Sequence, residues 1–268
     1  MTRDRQALLD AESPSRRIRV VLPLRQRHCW RTLAPELVLF EPPTAGAVPT
    51  GLGGSYDEHQ AKDLLDGLGV ATMPRRACDD RTAAHTALAE VGGPVAVKLL
   101  DASIVHKTEV GGVHLGIASP AELDAVLDKL DAAGVRRYLV EAMALPGVDL
   151  VVGAHRDPVF GPVVMLGLGG TTAEALADVA IRLAPLTAEE AATMPSELAG
   201  RALLAGFRGG PVLDGTELGR LVAVLGDLLA ANPCLDDIEI NPLRLTTDGL
   251  TALDAVIITS EQHQQGGR

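Results

Sequence analysis

Residues 94–117 read PVAVKLLDASIVHKTEVGGVHLGI, and the order of apolar runs and polar loop in this stretch decides the fold. Two short apolar runs, 95–99 and 113–117, flank a loop carrying His106, Lys107, Thr108 and Glu109, and the loop closes on Gly111-Gly112. Val95, Val97 and Leu99 alternate with Ala96 and Lys98, so a strand here points Lys98 away from its branched neighbours. An ammonium in mid-strand is costly unless it reaches water or an anion. The residues alone leave two readings open: an edge-strand lysine above a glycine-rich hairpin, or a lysine that faces an anionic ligand.

Working outward, the 268 residues suffice for one large domain or two small lobes. Hydrophobic residues make up 47% but aromatic ones only 2%, so the core rests on Ala, Val and Leu, and a stacking platform for nucleic acid is not expected. A net charge of −11 argues against nucleic acid or an anionic membrane as partner. The first 50 residues nevertheless hold eight arginines against five acids, a local balance of +3 that leaves −14 on the remainder. Three scattered cysteines lack metal-ligand spacing and a disulfide framework. No apolar stretch is long enough to span a bilayer and the N-terminus has no apolar leader core, so a cytoplasmic protein is expected.

Short strands are expected at 20–24 and 37–40. Ser55 and Glu58 read as a capping box that opens a helix over 56–68, with Gly69 just past its end. A strand over 70–73, a helix over 82–91 and the strand from Pro94 follow. Ser119-Pro120-Ala121-Glu122 is a second capping box with proline at the first helical position. Strands are expected at 138–143, 148–154 and 162–166, a glycine turn and short helix from Thr171, and helices at 188–193, 196–204 and 216–230. Two strands, 237–246 and 250–258, close the chain around Asp248-Gly249, a hairpin signal. That turn sets Asn241 opposite Val256 and brings Glu239, Asn241, Asp254 and Val256 to one face. Three oxygen-bearing side chains there suit Mg²⁺, although a solvated polar face fits the same pattern.

Several of these stretches resemble one family. VAVK followed by HKTEVGGV, RDPVFGPVVMLGLGGTTAEALADVAIRLAPL, and IEINPL followed by LDAVI are similar to the ATP-grasp subunit of ADP-forming acyl-CoA synthetases, which is related to the succinyl-CoA synthetase β subunit. The resemblance runs over about 55–259. It implies an α/β fold with two lobes clamping Mg²⁺ and ATP/ADP over 51–260, preceded by an N-terminal extension (1–50) of unknown role and followed by a short tail (261–268). It further implies that Lys98 binds nucleotide phosphate, that the amides of Gly169 and Gly170 face phosphates, and that Glu141, Asp149 and Glu174 contribute to the nucleotide site, with Glu141 reading the adenosine at an interlobe hinge. By the same match Asn241 and Asp254 hold Mg²⁺, His106 carries phosphate and Glu239 steadies the phosphohistidine. Asp178, Arg182 and the GFRGGP segment around Arg208 also fall on family positions.

The implied activity is acid + CoA + ATP ⇌ acyl-CoA + ADP + phosphate. The chain lacks a G-x-G-x-x-G strand–helix unit, so CoA and the small carboxylic acid are expected on an alpha-type partner subunit in a hetero-oligomer. A free-standing carboxylate–amine ligase and a non-catalytic nucleotide-sensing subunit are the alternatives.

Overall fold

A computed structural model describes residues 48–104, 107–108, 110–170 and 178–260. The strands expected at 20–24 and 37–40, the helix from Thr171, the tail from residue 261, and the candidates His106 and Glu174 lie outside the described residues.

The first helix, α1 (Glu58–Gly67), is capped by Asp57 rather than Ser55. The Asp57 carboxylate accepts from the Gln60 amide, and the Gln60 side chain reaches back to the Asp57 N–H. This shift by two residues releases Glu58 from capping. Ala61 and Leu65 pack into the larger core, whereas Glu58 and Lys62, four apart on the same helix, are buried as ions. Gly69, at φ 81°, ends the element as expected.

The strand expected at 70–73 is not one. Thr72 makes only an isolated bridge to Ala252, and Pro74, which has no N–H to donate, separates it from β1 (Arg75–Cys78). Next come α2 (Arg81–Val91), β2 (Val95–Leu99), β3 (Val113–Ile117), α3 (Pro120–Ala132) and β4 (Tyr138–Ala142). Their four strands form an antiparallel sheet in the order β1-β4-β2-β3. Lys98 therefore lies on an interior strand, which removes the edge-strand reading. Val95, Val97 and Leu99 pack with Ala84, Ala87, Leu123 and Leu127 of the two helices, and the opposite face of β2 carries Ala96 and Lys98. The Ser119 capping box is present as expected.

The larger lobe is a second antiparallel sheet of β5 (Val148–Asp157), β6 (Gly161–Leu168), β7 (Val179–Leu183), β8 (Leu235–Thr246), β9 (Gly249–Ala252) and β10 (Ala255–Thr259). Its order is β10-β8-β5-β6-β7, with β9 also on β8. The short α4 (Ala188–Ala191) and the long α5 (Gly215–Ala231) accompany it, and Leu218, Val222, Leu225 and Leu229 of α5 enter the core. The helix expected over 196–204 is instead two 3-10 turns, Met194–Glu197 and Arg201–Leu204. Between them the Ala199 and Gly200 amides donate to Asp178, which diverts the backbone from a continuous helix.

The closing hairpin turns one residue earlier than expected, with Thr246 opposite Gly249, and this moves every cross-strand pairing by two residues. Ala255 then pairs with Ile240 and Val256 with Glu239. Because the shift is two residues and side chains alternate with period two, Glu239, Asn241, Asp254 and Val256 keep the shared face. The expected continuous strand over 250–258 is broken at Leu253-Asp254, between β9 and β10.

Candidate functional site

The break at Leu253-Asp254 takes the Leu253 carbonyl out of the strand ladder. Lys62 Nζ donates to it at 2.8 Å and Lys98 Nζ at 2.6 Å. Both lysines also reach carboxylates: Lys62 meets Glu58 at 2.8 Å and Glu141 at 2.5 Å, and Lys98 meets Glu58 at 2.6 Å and Glu141 at 2.9 Å. Lys107 completes the group, 3.1 Å from Glu58 Oε2 and 3.3 Å from Asp254 Oδ1. Three lysines and three acids thus meet between α1, β2, β4, the loop after β2 and the β9–β10 bend. The side chains of Glu58 and Lys62 are 0% exposed, and that of Asp254 is 23% exposed.

Burying ions this deeply requires close compensation, and the protonation equilibria reflect it. Burial alone raises the Glu58 pKa, but Lys98, Lys62 and Lys107 outweigh it and hold the carboxyl well below its usual range. Burial lowers the Lys98 pKa, yet Glu58, Glu141 and Asp254 more than reverse this, so the ammonium is held firmly. Lys62 shifts the other way: burial and the neighbouring Lys98 lower its pKa against the pull of Glu58 and Glu141. Asp254 is raised, first by burial and then by Glu58, despite the lysines. The arrangement is a desolvated patch in which three lysines balance three carboxylates, the setting in which an entering polyanion gains most from lysine contacts.

The loop end that carries Lys107 is braced. Gly112 donates to the Lys107 carbonyl and accepts from the Leu99 amide, each at 2.8 Å. A Cβ on Gly112 would stand 2.0 Å from Leu99 Cδ2, and Gly111 has φ 69°. The glycine pair therefore answers a close approach and a left-handed turn.

Of the candidates read from sequence, Lys98, Glu141 and Asp254 come together in this cluster. The Glu141 carboxylate is buried and faces two ammoniums, those of Lys62 and Lys98. Asn241 lies beside Asp254, its amide N–H donating to the Asp254 carbonyl at 3.2 Å, and its side-chain amide donates to Glu239 Oε1 at 3.2 Å. Asp149 lies apart from the lysines, bound by Arg244 at 2.7 and 3.0 Å, and its carbonyl accepts from the Gly169 amide at 2.7 Å. A Cβ on Gly169 would stand 3.1 Å from the Asp149 backbone, a tight contact, and Gly170 has φ 83°. Arg182 pairs with Glu197, so with Asp178 it fastens the 3-10 segment to β7. Arg208, at φ 53°, stacks over Phe207 at 5.3 Å on the surface.

From sequence Glu58 reads only as a capping residue, Lys62 is not singled out, and Lys107 is given no role. At spacing i, i+4 on an amphipathic helix, a glutamate and a lysine have the signature of a solvent-facing pair. Only the adjoining apolar Ala61 and Leu65 marked the same face as inward.

Asn241 and Asp254 offer the hard oxygen donors Mg²⁺ prefers. Among the described residues no group of three or more His, Cys, Asp or Glu could hold a metal ion. A site with few protein ligands fits a cation that keeps its waters and takes phosphate oxygens.

Comparison with known proteins agrees with this geometry. Residues 51–259 match the family described as ATP-grasp domain. The β subunit of acetate–CoA ligase [ADP-forming] I from Pyrococcus furiosus is 33% identical over 210 residues, which cover 75% of this chain and 90% of that one. A trans-feruloyl-CoA synthase from an unknown prokaryotic organism is 34% identical over 218 residues, 77% of this chain but only 31% of that one. The chain thus spans about a third of the synthase and nine-tenths of the β subunit. Among solved structures, the dinucleotide-forming acetyl-coenzyme A synthetase 1 of Ca. Korarchaeum cryptofilum, in complex with coenzyme A and Mg-AMPPCP and with its phosphohistidine segment pointing towards the nucleotide site, superposes with a TM-score of 0.66. It is 33% identical, and the match covers 76% of this chain and 92% of that one. Fold, lysine–carboxylate cluster and likeness converge: the chain belongs to the ATP-grasp domain family, and within it to the family of β subunits of ADP-forming acetate–CoA ligases.

Proposed function

We propose that this chain is the nucleotide-binding subunit of an ADP-forming acyl-CoA synthetase, moving a phosphoryl group between ATP/ADP and histidine while an acid and CoA become acyl-CoA. The observation that carries the reading is the meeting of buried Lys98 and Lys107 with Asp254 and Asn241 at the boundary of two sheets. The likeness to a ligase β subunit and to an Mg-AMPPCP complex supports it. Lys98 binds phosphate oxygens, and Glu141 positions Lys98. The amides of Gly169 and Gly170 line the nucleotide, with Asp149 and Glu174 nearby. Mg²⁺ held by Asn241 and Asp254 supplies charge neutralisation of the phosphates.

Catalysis of this kind is positioning and electrostatics more than covalent chemistry. In the forward direction a neutral ring nitrogen of His106 bonds to the γ-phosphorus as the bond from that phosphorus to the departing ADP oxygen breaks. Glu239 orients the imidazole. CoA and the carboxylic acid bind an alpha-type partner subunit, so the working enzyme is a hetero-oligomer of the cytoplasm.

The test is reconstitution with the partner that copurifies from the native host. The chain alone is expected to form no acyl-CoA, and the complex to form it with ADP as product. His106→Ala in the complex should lower synthesis by orders of magnitude and abolish acid-labile phosphate on this chain while Mg-ATP still binds. Acyl-CoA from the isolated chain, or AMP as product, overturns the reading.

A further inference from the structure

The Glu58 carboxylate is met by three ammoniums: Lys62 and Lys98 at Oε1, 2.8 and 2.6 Å away, and Lys107 at Oε2, 3.1 Å away. It stands in the first turn of α1, where the helix dipole also favours negative charge. This is the environment lysines and a helix N-terminus give to a phosphate group. The two oxygens are not held alike. Oε1 accepts directed hydrogen bonds, whereas buried Oε2 has no hydrogen-bond partner and is balanced only by the charge of Lys107. Lys107 in turn leans on Asp254 Oδ1, the oxygen donor proposed for the metal. One lysine therefore bridges the carboxylate in the anion's surroundings to the carboxylate in the cation's.

We infer that Glu58 stands in for the phosphate oxygens of the nucleotide and Lys107 for the metal ion on Asp254, so that Mg-nucleotide binds by exchanging ion-pair partners. The exchange rests on the nucleotide site proposed above. Lys107 leaves Glu58 and Asp254 for a phosphate oxygen, Asp254 turns to the metal, and Lys98 shares its charge between Glu58 and phosphate. Lys62 stays with Glu58 and Glu141 and keeps the vacated carboxylate paired. Glu58 and Lys107 thus set affinity in opposite ways. Each competes with one incoming ion, and Lys107 also attracts the other.

Calorimetric titration of the full chain with inorganic tripolyphosphate without metal, and with Mg²⁺ alone, tests this without turnover. Glu58→Gln removes the competing anion, and its tripolyphosphate affinity is expected to rise by about tenfold, a small part of the Coulomb energy of one ion pair at this spacing. Glu58→Asp keeps the charge and should stay within about threefold of wild type. Lys107→Met should bind tripolyphosphate more weakly and Mg²⁺ alone more tightly. A folded Glu58→Gln that binds tripolyphosphate no better than wild type overturns the inference. If that variant does not fold, Lys107→Met decides alone, and unchanged or weaker Mg²⁺ binding overturns it. A wild-type chain that binds neither tripolyphosphate nor Mg-ATP instead overturns the nucleotide site itself.

Discussion

Two ionic networks border the small lobe, one open to solvent and one buried. On the outer face Arg81, at the start of α2, reaches Asp124, Asp128 and Asp131 of α3 at 3.1, 2.7 and 3.2 Å, with His85 2.9 Å from Asp124. The Arg81 side chain is 38% exposed and Asp128 69%. Hydrogen bonds donated to these carboxylates raise the Arg81 pKa further, but water and salt screen every pair. On the inner side, Glu58, Lys62, Lys98, Lys107, Glu141 and Asp254 have almost no water to share. The outer network links two helices that a hydrophobic core already holds together. The inner one ties side chains of α1, β2, β4 and the loop after β2 to the strand break at Leu253-Asp254, with the Leu253 carbonyl as a shared acceptor. A charge that solvent can replace fastens little, whereas one that solvent cannot reach is held ready for a ligand that replaces its partners.

The sharpest way to break this contrast is at Lys98. Lys98→Met removes the ammonium best placed to meet phosphate, and Mg-ATP affinity should fall by at least about a hundredfold, as follows from removing a charge-assisted hydrogen bond in a desolvated site. Metal-free ATP should weaken too, because the missing charge is the protein's own. Equal binding by wild type and variant in calorimetry would place the nucleotide elsewhere.

A second, smaller effect comes from acid. The Glu58 carboxyl is held below its usual range by the lysines, so its contribution to stability is complete above the ordinary glutamate value of about 4.3. It is lost as pH falls through that value toward the lower folded one. Asp254 has the opposite sign: its raised pKa makes the folded state favour protonation, which partly offsets the loss as pH falls. Wild type should lose more of its melting temperature between pH 6 and pH 3 than Glu58→Gln. Parallel melting curves for the two proteins would show that Glu58 is not the ion that acid removes.

Much of the fold was legible because its signals are local. The Ser119 capping box, the alternation in β2, the Gly69 stop and the apolar stripe of α5 need only neighbouring residues to be read. The shared face of Glu239, Asn241 and Asp254 survived a misplaced turn because a two-residue shift in pairing preserves strand parity. The lysine–carboxylate cluster was only half legible. Lys98 betrayed itself by sitting in an apolar strand, but Glu58 and Lys62 look like a surface pair until α1 is seen packed between two lobes. Nothing local marks the break at Leu253-Asp254, which supplies the carbonyl both lysines share. β7 was not expected: Asp178 just before it and Arg182 within it fall on family positions, and the structure gives them to the Ala199 and Gly200 amides and to Glu197.

The smallest expected effect is the one that sharpens the contrast. Arg81 meets three carboxylates, one more partner than Lys107 has, so a count of ion pairs would rank it as the more important residue. Exposure predicts the reverse. Arg81→Met keeps most of the aliphatic length that covers the surface between α2 and α3 and removes only screened charge. Its melting temperature should change by no more than about 2 °C at low salt, since exposed pairs contribute little. The difference should shrink further in 1 M salt, where the screening length is about 3 Å. Binding of Mg-ATP should match wild type, because the network lies across the small core from β2 Lys98. A large, salt-independent fall in stability would mean that the outer ions are structural in their own right, and that burial is not what separates the two networks.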